Sequence, residues 1–121
     1  MGSSIDMHTF DKPDEVRQFP NGHIEIVKTA DGDIGRSTFE PSWRWSNDVK
    51  PIAQTETCQV RHLGYQISGT LHIEMEGGES YDLAPGSVSM IPPGHDAWVV
   101  GDDSVILIDW AGASHYAKPS G

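Results

Sequence analysis

The stretch Gly86-Ser87-Val88-Ser89-Met90-Ile91-Pro92-Pro93-Gly94-His95 decides how this chain is read. Val88 to Ile91 form a short run of strand character between turn formers at Pro85-Gly86 and at Pro92-Pro93-Gly94, and a run bounded in that way reads as a strand between two tight turns. The same grammar extends in both directions. Upstream, Leu71, Ile73 and Met75 alternate with His72, Glu74 and Glu76 before Gly77-Gly78, the clearest hairpin signal in the chain. Ser80 to Leu83 leads into Pro85-Gly86. Downstream, Trp98 to Val100 and Val105 to Ile108 flank a turn at Gly101 to Asp103. Nearer the N-terminus, Ile24 to Val27 ends at Asp31-Gly32-Asp33, Arg36 to Phe39 ends at Glu40-Pro41, and Trp43 and Trp45 share a face around Arg44. Only Asp11 to Gln18 is expected to be helical, because Lys12-Pro13 followed by Asp14 and Glu15 is a helix-start signal. Turn signals about every 8 to 12 residues imply antiparallel strands closed into a sandwich or small barrel.

A length of 121 residues suits one hydrophobic core. The chain is 36% hydrophobic and 21% charged with 13 Gly and 8 Pro, which suits a turn-rich globular domain. Eighteen acidic against 8 basic residues give a formal charge of -10, which repels nucleic-acid backbones and anionic membranes. The single cysteine, Cys58, makes no internal disulfide. No apolar run reaches the roughly 20 residues of a membrane span and no secretory signal pattern opens the chain, so a soluble, cytoplasmic protein is expected. Met1 to Ser4 and Ala113 to Gly121 lack core periodicity and are expected to be loosely held.

Two stretches, Cys58-Gln-Val-Arg-His62-Leu-Gly-Tyr65-Gln-Ile-Ser-Gly69 and Gly86 to His95, together resemble the two motifs of the cupin superfamily. The first motif is written His-x-His, three or four residues, Glu, six residues, Gly, and the second Gly, five residues, Pro-x-Gly, two residues, His. Gly86, Pro92 and Gly94 match the second motif. The first fits by spacing with exchanged residues: Gly69 counts back to His62 at the carboxylate position, and the paired histidines fall on Glu56 and Cys58. The last histidine position is Ala97, with His95 two residues earlier. The resemblance covers about residues 35 to 110. It implies an all-β fold, a jelly-roll β-barrel with at most one short N-terminal helix, as a single domain over residues 1–121 with its barrel core over about residues 23–111. It also implies a metal site on Glu56, Cys58 and His62, with Ala97 vacating one position, and self-association as a homodimer.

Glu56 and Cys58 point to one face if residues 56 to 58 are extended. Carboxylate, thiolate and imidazole are ordinary ligands of a divalent transition ion; the thiolate favours zinc, with nickel, iron and manganese as further candidates. Three protein ligands leave a position open for water or substrate, and His95 becomes a fourth if the Pro92-Pro93-Gly94 turn presents it inward. Each residue also has a plain reading: Cys58 as an inert buried thiol, His62 as a hydrogen-bonded core histidine, His95 as a turn residue and Glu56 as a rim carboxylate. Asn47 to Ile52 reads as a loop at the barrel mouth, a candidate lid. Trp43 and Trp45 read as core, interface or pocket wall, and Arg61 as solvated or as an anion holder. Gln66, not Tyr65, shares the face of His62. His72 reads as surface, and His8, His23 and His115 receive no role.

Two functions follow. One is a metalloenzyme acting on a small polar molecule, for which the family offers isomerases, lyases and oxygenases. The other is a binding or sensing barrel without chemistry, which Ala97 favours. A thiol redox sensor at Cys58 is a third, weaker reading.

Overall fold

The computed structural model describes residues 4–118. Among the described residues, nine strands build two antiparallel sheets. They are β1 (Glu15–Phe19), β2 (Gly22–Thr29), β3 (Gly32–Phe39), β4 (His62–Ser68), β5 (Thr70–Met75), β6 (Ser80–Leu83), β7 (Val88–Ile91), β8 (His95–Val100) and β9 (Val105–Asp109). The larger sheet has the order β1-β2-β3-β9-β4-β7 and the smaller the order β6-β5-β8. Their apolar faces pack together as an all-β jelly roll, as the alternation predicts. Ile24, Ile26, Phe39, Leu71, Ile73 and Val105 sit at alternate inward positions, each under 5% exposed. The hairpin from β5 to β6 turns at Gly77-Gly78, where the sequence places it. Gly69 sits between β4 and β5 at φ +71, and a Cβ there would lie 2.5 Å from the Ser104 carbonyl oxygen. Both the left-handed backbone and the close approach require glycine at that motif position.

Three expectations change. Asp11 to Gln18 is not a helix: β1 occupies Glu15–Phe19 and pairs antiparallel with β2, with Phe19 buried at its end. Asp14, read as a helix-start residue, instead accepts the backbone N–H of Lys28 at 2.7 Å. The open edge of β2 supplies hydrogen-bond partners that an isolated helical turn lacks, so pairing overrides local propensity, and the sheet begins before residue 23.

Asn47 to Ile52 is not an open loop. It lies in two single-turn helices, α1 (Trp45–Asp48) and α2 (Lys50–Ala53), the second carrying Pro51 in its first turn and ending at Gln54 with φ 62. Trp43 and Trp45 are both 2% exposed and anchor this segment in the core, Trp43 stacked on Phe39 at 3.9 Å between ring centroids. Arg44, between them, lies over the Trp98 ring.

The C-terminal segment is held rather than loose. Ala113 and Tyr116 are buried, and the Arg17 guanidinium donates to the carbonyl oxygens of Ala113, Ser114 and Tyr116. Met1 to Ser3 and Pro119 to Gly121, also expected to be loose, lie outside the described residues. Among the described residues no helix is long and apolar enough to cross a membrane.

Candidate metal centre

Cys58 reaches the interior through one backbone bridge. Its N–H donates to the His95 carbonyl at 2.8 Å and its own carbonyl accepts from Gly94 at 2.8 Å. Directly opposed antiparallel residues carry their side chains on one face, so Cys58 and His95 point inward together, 2% and 3% exposed. The Pro92-Pro93-Gly94 turn, with Gly94 at φ +96, is what aims His95 inward. His62 opens β4 opposite Ile91, on the same inward parity as Gly64 and the buried Gln66. Asp109 closes β9 on the inward parity of Val105 and stands beside β4 through the pairing of Gly64 with Asp109.

The Cys58 Sγ lies 3.6 Å from Nε2 of His62, close to the roughly 3.5 Å edge of a tetrahedral site with ordinary zinc–sulfur and zinc–nitrogen bonds. One donor atom from each of Cys58, His62 and His95 lies within 4.8 Å of the others. The second nitrogen of each ring is already committed. Nδ1 of His62 meets Oδ2 of Asp109 at 2.6 Å, and Nδ1 of His95 donates to the Pro92 carbonyl at 2.8 Å. Both Nε2 atoms are therefore left for an ion, the arrangement that ligating histidines normally show. Asp109 is held in turn, its Oδ1 accepting the backbone N–H groups of Ala111 and Gly112 at 3.0 Å each.

The thiol and Asp109 favour their anionic forms, and a bound cation would take the place of the His62 proton. Burial pushes the Cys58 thiol up, but hydrogen bonds and positive charge from His62 and His95 outweigh it and bring the thiol down to about 6. Burial pushes His62 down, and the hydrogen bonds to Asp109 and Cys58 outweigh that and raise it to about 9. Asp109 follows the same logic: burial raises it, and the His62 contact holds it below the ordinary carboxylate value. Without an ion the cluster is a thiolate–imidazolium–carboxylate relay. A soft thiolate with two imidazoles fits zinc or a neighbouring divalent transition ion better than magnesium or calcium.

Of the four residues read as ligands, three converge and Glu56 does not. Its side chain is 91% exposed and its carboxylate pairs with Lys50 at 3.0 Å. The alternation argument needs an extended backbone, but the chain leaves α2 through the left-handed Gln54 and turns again where the Thr55 hydroxyl donates to the Thr57 carbonyl. Of Glu56 and Cys58, the bridge takes in Cys58 alone. Ala97 faces inward at 5% exposure and offers no ligand, and Arg61 points to solvent. His72 is held on the polar face between Asp82 and Glu74. Two site residues escaped the sequence reading. Asp109 carried a signal, a carboxylate on the inward parity of an apolar strand. Tyr116 carried none; its ring lies 5.5 Å from that of His62, and burial together with the charges of Cys58, Asp109 and Asp48 holds its phenol well above the ordinary value.

A cavity of about 50 Å³ adjoins the cluster between the sheets, bordered by His62, His95, Ala97 and a mainly apolar wall including Phe39, Trp45 and Leu107. Among the described residues, four buried polar side-chain atoms lack a hydrogen-bond partner: Trp43 Nε1, Trp45 Nε1, Gln66 Oε1 and the Tyr116 hydroxyl. All four residues border this chamber.

No protein-family model matches the sequence, and no curated protein does. Solved structures do match. KdgF from Halomonas sp. is similar over 77% of this chain and 82% of its own, at 22% identity and a TM-score of 0.54. A cupin-like protein from Thermotoga maritima is similar over 80% of this chain and 73% of its own, at 16% identity and a TM-score of 0.53. The fold is that of a small cupin. The oxalate decarboxylase of Lactobacillus farciminis, solved as a formate complex, matches 93% of this chain at 12% identity and a TM-score of 0.64, over 34% of its own length. Identities this low carry the cupin fold across and nothing finer. The Cys58–His62–His95 cluster is this chain's own candidate metal site.

Proposed function

We propose that this chain is a cupin metalloprotein in which Cys58, His62 and His95 hold one divalent transition ion, zinc ahead of nickel, iron or manganese, and that it is an enzyme acting on a small molecule beside that ion. The observation that carries the reading is the convergence of three donor atoms, with the Nδ1 atoms of His62 and His95 held by Asp109 and Pro92 so that the Nε2 atoms are the ones left for an ion beside the Cys58 thiol. When bound, such an ion supplies a Lewis acid that polarises a carbonyl or acidifies water. Asp109 orients His62 and stabilises its positive form, Ala97 leaves room beside the cluster, and the apolar wall excludes bulk water. A lone reduced thiol suits a reducing compartment, so a cytoplasmic setting belongs to the proposal. So does a homodimer, supported by exposed Leu63, Tyr65 and Ile67 on strand β4.

The test is the metal content of protein purified without added chelator. About one equivalent of transition metal, lost in a Cys58→Ser, His62→Ala double variant, is expected. Less than about a tenth of an equivalent, with a melting temperature unmoved by added metals, overturns the reading. Ala97 favours a second reading, a ligand-sensing barrel without turnover. Three protein ligands plus exchangeable water in the loaded protein support catalysis, whereas a closed coordination shell supports sensing.

A further inference from the structure

The barrel wall is not continuous. Strand β6 pairs only with β5 and strand β7 only with β4, so each is the outermost strand of its sheet. Between them lies a second cavity, of about 470 Å³, lined by residues of β5, β6 and β7 and reaching Met75, Tyr81 and Met90 at its outer part. Ile73, Leu83, Ser89 and Ile91 border both this outer cavity and the inner chamber at His62, His95 and Ala97. These four residues form the wall that the two cavities share.

We propose that ligands reach the metal-facing chamber sideways, through the unpaired seam between β6 and β7, and that the site takes short neutral aliphatic molecules bearing one coordinating atom. The route takes that shared wall as its neck. Tyr81 and Met90 flank the entrance, each 53% exposed, an apolar and adaptable rim. The charge preference follows from the linings. Neither cavity is bordered by a lysine or arginine, while Glu79 and Asp82 stand at the outer one. An anion would pass two carboxylates and enter an apolar chamber without a cation to receive it, apart from the ion itself. Size follows from the chamber: about 50 Å³ is a third of the roughly 150 Å³ apolar cavity that takes benzene, which limits the part inside to a few non-hydrogen atoms. The three partnerless donors and one partnerless acceptor around it favour an oxygen- or nitrogen-bearing molecule over a hydrocarbon.

The inference rests on the proposed metal centre for the coordinating atom, but not for the route. Its test uses 1-butanethiol and 3-mercaptopropionate, matched in length and coordinating atom and differing by a carboxylate. In cobalt(II)-loaded protein, 1-butanethiol is expected to produce a sulfur-to-cobalt absorption band at a concentration at least tenfold lower than 3-mercaptopropionate. Ser89→Phe, in the neck and outside the ligand set, is expected to slow its appearance at least tenfold at unchanged cobalt stoichiometry. The paired surface change Glu79→Lys, Asp82→Lys is expected to narrow the gap between the probes at least fivefold, and it keeps the test alive if Ser89→Phe does not fold. Equal binding of the two probes overturns the charge preference. An unchanged rate in Ser89→Phe overturns the route. If cobalt does not bind at all, the metal reading falls by itself. The seam is then tested in metal-free protein by backbone amide NMR shifts at Ile73, Leu83, Ser89 and Ile91 on adding 1-butanol, whose absence overturns the route as well.

Discussion

Nδ1 of His62 stands 2.6 Å from Oδ2 of Asp109, across the pairing of β4 with β9. The contact holds the ring so that Nε2 faces Cys58. Replacing a carboxylate behind a ligating histidine typically weakens metal binding about 10- to 100-fold, and Asp109→Asn is expected to fall in that range in competition with a chromophoric chelator. Affinity within twofold of the unmodified protein contradicts the role given to Asp109.

Cys58 and His62 make opposed contributions to the pH dependence of the metal-free protein. Cys58 is lowered from 9.0 to about 6, so its stabilisation is full above 9.0 and lost as pH falls through about 6. His62 is raised from 6.5 to about 9, so its stabilisation is full below 6.5 and lost as pH rises through about 9. Between these limits the folded state has moved one proton from thiol to ring, the two states bind the same number, and the pair leaves stability flat with pH. Cys58→Ser removes the thiol's half together with the Cys58 share of what raises His62, leaving the contact with Asp109. Its stability to urea is expected to decline steadily from about pH 6.5 upward, because the folded state then holds more protons than the unfolded one. A flat profile in this variant counts against Asp109 holding His62 raised without the thiolate.

Gly112 supports the centre from behind. A Cβ placed there would lie 2.8 Å from Nδ1 of His62, 2.8 Å from the Arg61 carbonyl oxygen and 2.7 Å from Cγ1 of Val60. Gly112→Ala is expected to destabilise the fold by about 1–3 kcal/mol, as overpacking does, and to weaken metal binding by displacing the ring. Urea denaturation and chelator competition measure the two effects; if neither changes, the ring is not held where described.

Glu56 separates the tertiary arrangement from the motif spacing. Its exposed pairing with Lys50 is of the kind that contributes little. Glu56→Gln is expected to keep full metal stoichiometry, with affinity within twofold and stability within about 0.5 kcal/mol. Loss of metal in this variant would return Glu56 to the ligand set.

Much of the fold is local and therefore legible. Alternation in Leu71 to Met75, the Gly77-Gly78 turn and the strand of Val88 to Ile91 between two turns are short-range patterns, and each forms where it is read. The same holds for Gly69, Gly86, Pro92 and Gly94, whose spacing identifies the barrel and leads to Cys58, His62 and His95. Other features depend on partners distant in sequence. Glu15–Phe19 is a strand because β2 offers an edge, and the segment at Tyr116 is packed because Arg17 reaches its carbonyls. Glu56 falls outside the centre because the chain turns at Gln54 and Thr55 before the bridge at Cys58. Sequence by itself determined the barrel and most of its donor atoms, because periodicity and turn chemistry act over a few residues. Only the tertiary structure decided which donors meet, that Asp109 backs His62, and that the wall stays open between β6 and β7, because each of these depends on how separate strands are brought side by side.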